Sequence, residues 1–161
     1  MAPTIGRRVA LRTPSSSADL EVLRRLFVEY QEAIGTDLCF QGFAAEVAGL
    51  PGDYAPPGGA LWLAEEDEAP LGCIALRRID VERAEMKRLY VRPAARGLGL
   101  GRRLAETLLA EARRLGYRRV CLDTLPVMQT AQALYGELGF VDIAPYRDNP
   151  VAGARFMGLE L

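Results

Sequence analysis

The sequence predicts an α/β fold of seven strands and four helices, in the order β-α-α-β-β-β-α-β-α-β-β. Three observations carry this. Apolar residues recur at helical spacing in two long stretches. Three consecutive apolar segments are separated only by short polar turns. A glycine-rich turn then joins the last of those segments to the strongest helix.

Val9–Arg12 is a short first strand. Ser16, followed three residues later by Asp19, is a capping-box-like helix start. Leu20, Leu23, Phe27, Tyr30 and Ile34, at spacings of three and four, give one amphipathic helix ending near Gly35. Phe40–Leu50 is a second, short helix, and Pro51, Gly52, Pro56, Pro57, Gly58 and Gly59 break the chain into a loop. Leu61–Glu65, Leu71–Ile79 and Glu85–Val91 are strands whose short connections imply antiparallel pairing. In Leu100–Leu115, Leu104, Ala105, Leu108, Leu109 and Ala112 share one helix face, and Gly116 stops the helix. Arg118–Asp123 is a strand, Val127–Leu138 a helix ended by Gly139, and Phe140–Ile143 and Arg155–Leu161 are the last strands.

With 161 residues and no linker or repeat, the chain is expected to form one domain, residues 1–161. Twenty basic against twenty-one acidic residues argue against a dedicated nucleic-acid binder. The absence of histidine removes every His-based triad and zinc motif. Cys39, Cys73 and Cys121 are scattered, which fits a reducing compartment and no metal cluster. Met1–Leu11 lacks the apolar core of a signal peptide, and no stretch approaches the roughly 18 apolar residues of a membrane span. A cytoplasmic location is therefore expected. The charge is unevenly spread: Arg77–Arg119 carries thirteen basic and five acidic residues, whereas Asp37–Gly59 carries three acidic residues and no basic one. Such a pattern suits a protein holding an anionic ligand on one side and a cationic one on the other.

The segment from Leu89 to Leu104 runs strand, glycine-rich turn, helix. Glycines allow close backbone approach, and the first N–H groups of a helix lack intrahelical partners, so this is an anion site. It is not a P-loop, since no GK[ST] follows. The GxGxxG fingerprint also fails, with Arg102 or Leu104 at the last position. What fits is [QR]xxGx[GA] in Arg96-Gly97-Leu98-Gly99-Leu100-Gly101, preceded by Leu89-Tyr90-Val91-Arg92-Pro93. With AxxLYxxLGF at Ala131–Phe140 and Glu85 on the strand before the turn, the sequence resembles the GNAT family of N-acetyltransferases over nearly its whole length.

That resemblance implies a single mixed, mostly antiparallel sheet of about seven strands flanked by four helices. It also implies transfer of an acetyl group from acetyl-CoA directly to a primary amine of a small molecule, peptide or protein, without a metal. Backbone groups of Leu89, Tyr90 and Val91 would pair with the pantetheine arm. The turn from Arg96 through Gly97, Leu98, Gly99, Leu100 and Gly101 would cradle the pyrophosphate, with Arg96 and Arg102 adding charge. An amine of pKa ~10.4 is free base only about once in 10³ at neutral pH. A base is needed, then, and Glu85 stands where many members carry one. Asp123 is the alternative base, or a contact for the substrate ammonium. Tyr135 occupies the general-acid position for the departing thiolate, and a backbone N–H near Val91 would meet the oxyanion. Many relatives carry an Asn where Met128 stands, so Gln129 or Thr124 would have to substitute. The acceptor site would draw on Tyr30, Asp37, Gln41, Tyr54, Asp123, Tyr146 and Asn149, with the acidic Asp37–Gly59 stretch leaning toward a cationic acceptor. A homodimer through the terminal strands is a family habit. The competing reading is a non-catalytic acyl-CoA-binding sensor, which loss of the Glu- and Tyr-type groups would favour; both are present.

Overall fold

Alternation of apolar side chains in the central strands gives the sheet two buried faces. In β2 (Ala60–Glu66), Leu61 and Leu63 point one way and Trp62 and Ala64 the other, so every position from Ala60 to Ala64 is buried. The computed structural model describes residues 8–161. Met1–Arg7, most of the N-terminal stretch read above as free of a targeting signal, lie outside the described residues.

The order along the chain is β1 (Val9–Arg12), α1 (Ser17–Ile34), α2 (Phe43–Ala48), β2, β3 (Ala69–Arg78), β4 (Arg83–Val91), α3 (Leu100–Arg114), β5 (Arg119–Thr124), α4 (Gln129–Leu138), β6 (Val141–Asp142) and β7 (Arg155–Glu160). This is the predicted order. The seven strands form one sheet in the order β1-β2-β3-β4-β5-β7-β6, antiparallel except between β4 and β5. One face packs on α3 and α4 through Ile74, Met86, Leu104, Leu108, Leu122 and Tyr135. The other packs on α1 and α2 through Leu23, Leu26, Phe27, Phe43, Leu63 and Tyr90.

The caps follow the sequence closely. Ser16 Oγ accepts the Asp19 N–H at 3.2 Å, while the Asp19 carboxylate accepts the Ser15 N–H at 2.8 Å. The second helix is shorter than expected. Gly42 is left-handed, φ 67°, and splits Cys39–Gln41, a 3-10 turn, from α2. The β2–β3 hairpin is tighter than expected: Asp67 and Glu68 both hold positive φ, a mirror-image two-residue turn built without glycine. Positive φ at Arg88 (60°) marks a bulge in β4, where the register against β3 shifts between Cys73 and Ala75.

Candidate active site

Two features of the backbone create the site. The first is the turn after β4. Gly97 (φ 80°) and Gly99 (φ 73°) are left-handed with nothing within 4 Å of a would-be Cβ, so glycine is required there by conformation and not by crowding. Gly99 caps α3, and the next N–H groups, from Leu100 to Arg102, open onto the helix axis with no acceptor of their own. The two arginines expected to add charge are engaged elsewhere. Arg96 Nε donates to the Val91 carbonyl at 3.0 Å, and Arg102 pairs with Glu106 and Glu137. An anion here would be met first by the backbone and the helix dipole.

The second feature is a split in the sheet. β4 and β5 pair over three residues only, ending at Glu85 and Cys121. Beyond that point the β5-facing edge of β4, from Met86 to Val91, carries no strand, leaving backbone groups for an extended ligand to pair with. A narrow cavity passes through the split. Met86, Leu89, Met128 and Tyr135 line it on the α3–α4 side; Tyr30, Leu38, Gln41, Lys87, Arg88 and Asn149 line it on the other, with Asp123 between.

Tyr135 is buried on α4, its hydroxyl forms no hydrogen bond among the described residues, and desolvation raises its pKa. It therefore stays protonated, as a proton donor must. Of the residues expected to stand in for the missing Asn, Thr124 spends its hydroxyl on the Met128 sulfur at 3.7 Å, and Gln129 is exposed.

Most of the predicted acceptor residues converge. Tyr30, Gln41, Asp123 and Asn149 line the cavity, with Asn149 Nδ2 donating to Asp123 Oδ2 at 3.1 Å. Asp37 does not join them: it sits in an exposed turn, accepting the Cys39 N–H. Tyr54 lines a neighbouring cavity. Its buried hydroxyl lies close enough to Glu46 for that charge to raise its pKa further beyond the effect of burial, but makes no hydrogen bond.

Glu85 is fully buried, and both of its oxygens are occupied. Arg77 Nε donates to Oε1 at 2.7 Å and Tyr146 Oη to Oε2 at 2.5 Å; Arg147 is ion-paired with Oε2, and Lys87 Nζ stands 3.9 Å from Oε1. Glu85 is thus fully buried beneath two guanidiniums and a phenol, and it lines neither this cavity nor the one beside it. The expected acidic surface is partly spent within the protein. Glu46, the central acid of that stretch, forms a bidentate pair with buried Arg88 at 2.8 and 2.9 Å, and Arg88 also lies 5.0 Å over the Phe43 ring. Basic side chains line this side of the sheet.

Four residues that sequence reasoning missed shape this side: Arg77, Lys87, Arg88 and Arg147. One signal was available. Lys87 is the only lysine among twenty basic residues. It is 6% exposed, donates to Gln41 Oε1 at 3.0 Å, and has its pKa lowered to about 7, first by burial and then by Arg88 and Arg77.

Comparison with known proteins agrees with this geometry. The chain is 38% identical over 145 residues to an uncharacterized N-acetyltransferase of Schizosaccharomyces pombe, covering 89% of each. Its fold matches a crystal structure of an acetyltransferase from Streptococcus agalactiae with a TM-score of 0.80 and 25% identity, over 95% of this chain and 98% of that one. It also matches an acetyltransferase from Salmonella typhimurium, solved with its cofactor acetyl-CoA, with a TM-score of 0.71 and 20% identity over 95% and 94% of the chains. The acetyltransferase (GNAT) family model matches residues 21–140, through the turn, the split sheet and α4, and the chain belongs to that family.

Proposed function

We propose that residues 1–161 form a single-domain N-acetyltransferase that moves the acetyl group of acetyl-CoA directly onto a primary amine of a small molecule or peptide. The observation that carries this reading is the cavity at the split in the sheet, lined by the protonated phenol of Tyr135 and by the polar side chains of Gln41, Asp123 and Asn149. Acetyl-CoA supplies an activated thioester. The backbone N–H groups of Gly97–Gly101 hold its pyrophosphate, and the free edge of β4 at Leu89–Val91 pairs with its arm.

On the acceptor side, Asp123 and Asn149 face the incoming ammonium, with Gln41 and Tyr30 completing the wall. The chain's proton acceptor is Lys87, whose free base is populated near neutral pH because its pKa is lowered to about 7. Glu85 takes a positioning role: it anchors Arg77, Arg147 and Tyr146 rather than contacting the amine. Tyr135 donates its proton to the leaving thiolate. No helix among the described residues is long and apolar enough to cross a membrane. We place the protein in the cytoplasm on the strength of its scattered free cysteines, with a homodimer through the terminal strands as the expected assembly.

The test is calorimetric titration with acetyl-CoA, followed by thiol release across a panel of amines. Wild type binds and releases CoA in an amine-dependent way. Tyr135→Phe lowers turnover by about 10²-fold with the acetyl-CoA Kd unchanged. Binding without release from any amine would replace the transferase reading with the sensor.

A further inference from the structure

Next to the through-sheet cavity, and sharing Gln41 with it, lies a cavity of about 480 Å3 lined by Gln41, Arg77, Arg78, Ile79, Tyr146, Arg147 and Asp148. Its walls are unusual for a site that takes an amine. Three of its side chains are guanidiniums and one, Asp148, is a carboxylate. We propose that Arg77 and Arg147, with Arg78 at the rim, bind a carboxylate on the acceptor, so that the substrate is a small amine that is also an acid, of the amino-acid type. This rests on the transferase reading given above.

The charge inventory leads there. Two guanidiniums share one buried carboxylate, Glu85. Arg77 uses only its Nε, and Arg147 only one terminal nitrogen, so each keeps N–H donors that take no partner among the described residues. Both are only partly exposed, at 27% and 20% of their side chains, so water screens them incompletely. Of the other acids nearby, Glu46 is held by Arg88 and Asp123 accepts from Asn149, while Asp148, exposed at the cavity wall, offsets one of the three guanidiniums and leaves a net positive charge. Tyr146 stays protonated and donates to Glu85. Burial and then the neighbouring Arg77 lower the Arg147 pKa to about 10.

Geometry sets the class of ligand. A planar guanidinium fork matches a carboxylate with two parallel hydrogen bonds. Glu85 and Lys87 lie on the same face of β4, two residues apart, which is about 7 Å along a strand. An acceptor whose amine reaches the level of Lys87 therefore has its other end at the level of Arg77 and Arg147, a few bonds away. The loop between β6 and β7 delivers Tyr146 and Arg147 to this cavity and Asn149 to the other, so one segment touches both ends of the ligand.

The experiment uses the full chain and acetyl-CoA, with acceptors in matched pairs: ω-amino acids of two to five carbons and their carboxamides. The expected result is a kcat/KM at least 10-fold higher for the acid than for its amide at one or more chain lengths, carried by KM. Arg147→Leu brings that ratio close to 1, and Arg147→Lys, which keeps the charge but loses the fork, restores it only in part. Independently of any variant, the deaminated acid of the preferred length inhibits competitively against the amide. Equal use of acid and amide, or inhibition no better by the acid than by its amide, overturns the subsite while leaving the transferase intact. If CoA release responds to no amine at all, the transferase reading fails first, and the subsite falls with it.

Discussion

Two partly buried charge clusters in this molecule are near mirror images. Where β1, α1 and β2 meet, one guanidinium serves two carboxylates: Arg12 binds Asp19 at 2.7 and 2.8 Å and Glu65 at 2.6 Å. At β4 and the loop after β6, one carboxylate serves two guanidiniums with a lysine nearby. In the first cluster the ions reinforce one another, so the Arg12 pKa is raised and that of Asp19 lowered, chiefly by their mutual hydrogen bonds. In the second, burial first and then the neighbouring cations lower the Lys87 and Arg147 pKa values. The first ties a strand to a helix. The second gathers three cations around one anion beside an open cavity.

The largest effect expected from this contrast is in Glu85→Gln. Removing the shared anion leaves Arg77, Arg147 and Lys87 facing one another, and stability in urea unfolding falls by about 3–5 kcal/mol. A loss below about 1 kcal/mol would break the comparison.

Lys87→Met tests it with the opposite sign. Lys87 has its folded pKa lowered from 10.5 to about 7, so between those values the unfolded chain binds more protons and stability rises with pH. The cost of holding Lys87 charged is full below pH 7 and is relieved as pH climbs. Wild type should therefore gain about 3–4 kcal/mol relative to Lys87→Met between pH 7 and 10, at a limiting slope of about 1.4 kcal/mol per pH unit. A flat difference would mean that Lys87 titrates as it does in water.

The smallest effect belongs to the balanced cluster. Asp19→Asn costs about 1–2 kcal/mol at pH 7 through the lost ion pair and weakened cap. Because the folded pKa of Asp19 is lowered, its contribution is present above the ordinary carboxylate range and is lost as pH falls through the folded value. The penalty should shrink on acidification, as measured by the same unfolding curves.

The clusters also differ in how visible they are in the sequence. Ser16 and Asp19 are three residues apart, so the cap that holds half of the first cluster is a local pattern. The turn after β4 is legible for the same reason: it is made of consecutive N–H groups and two left-handed glycines. The element order follows from helical periodicity and glycine stops. The acceptor site is different. Glu85 and Tyr146 are 61 residues apart, and Lys87 and Gln41 are 46 apart, brought together by the sheet and the last loop. The acidic stretch around Glu46 pointed to a cationic acceptor because nothing local reveals that Arg88 consumes it. That pairing depends on the positive φ at Arg88, a bulge with no glycine to announce it.

Nineteen arginines and a single, buried lysine also decide what the protein's own surface can undergo. Guanidinium does not attack thioesters, so a molecule that keeps an acyl donor at hand shows it no ε-amine from outside. Amine-directed labels, cross-linkers and acylating agents find no lysine target on the described exterior. An acetyl group mapped to lysine in this chain would thus be a mark made in the interior, a record that donor and Lys87 had met.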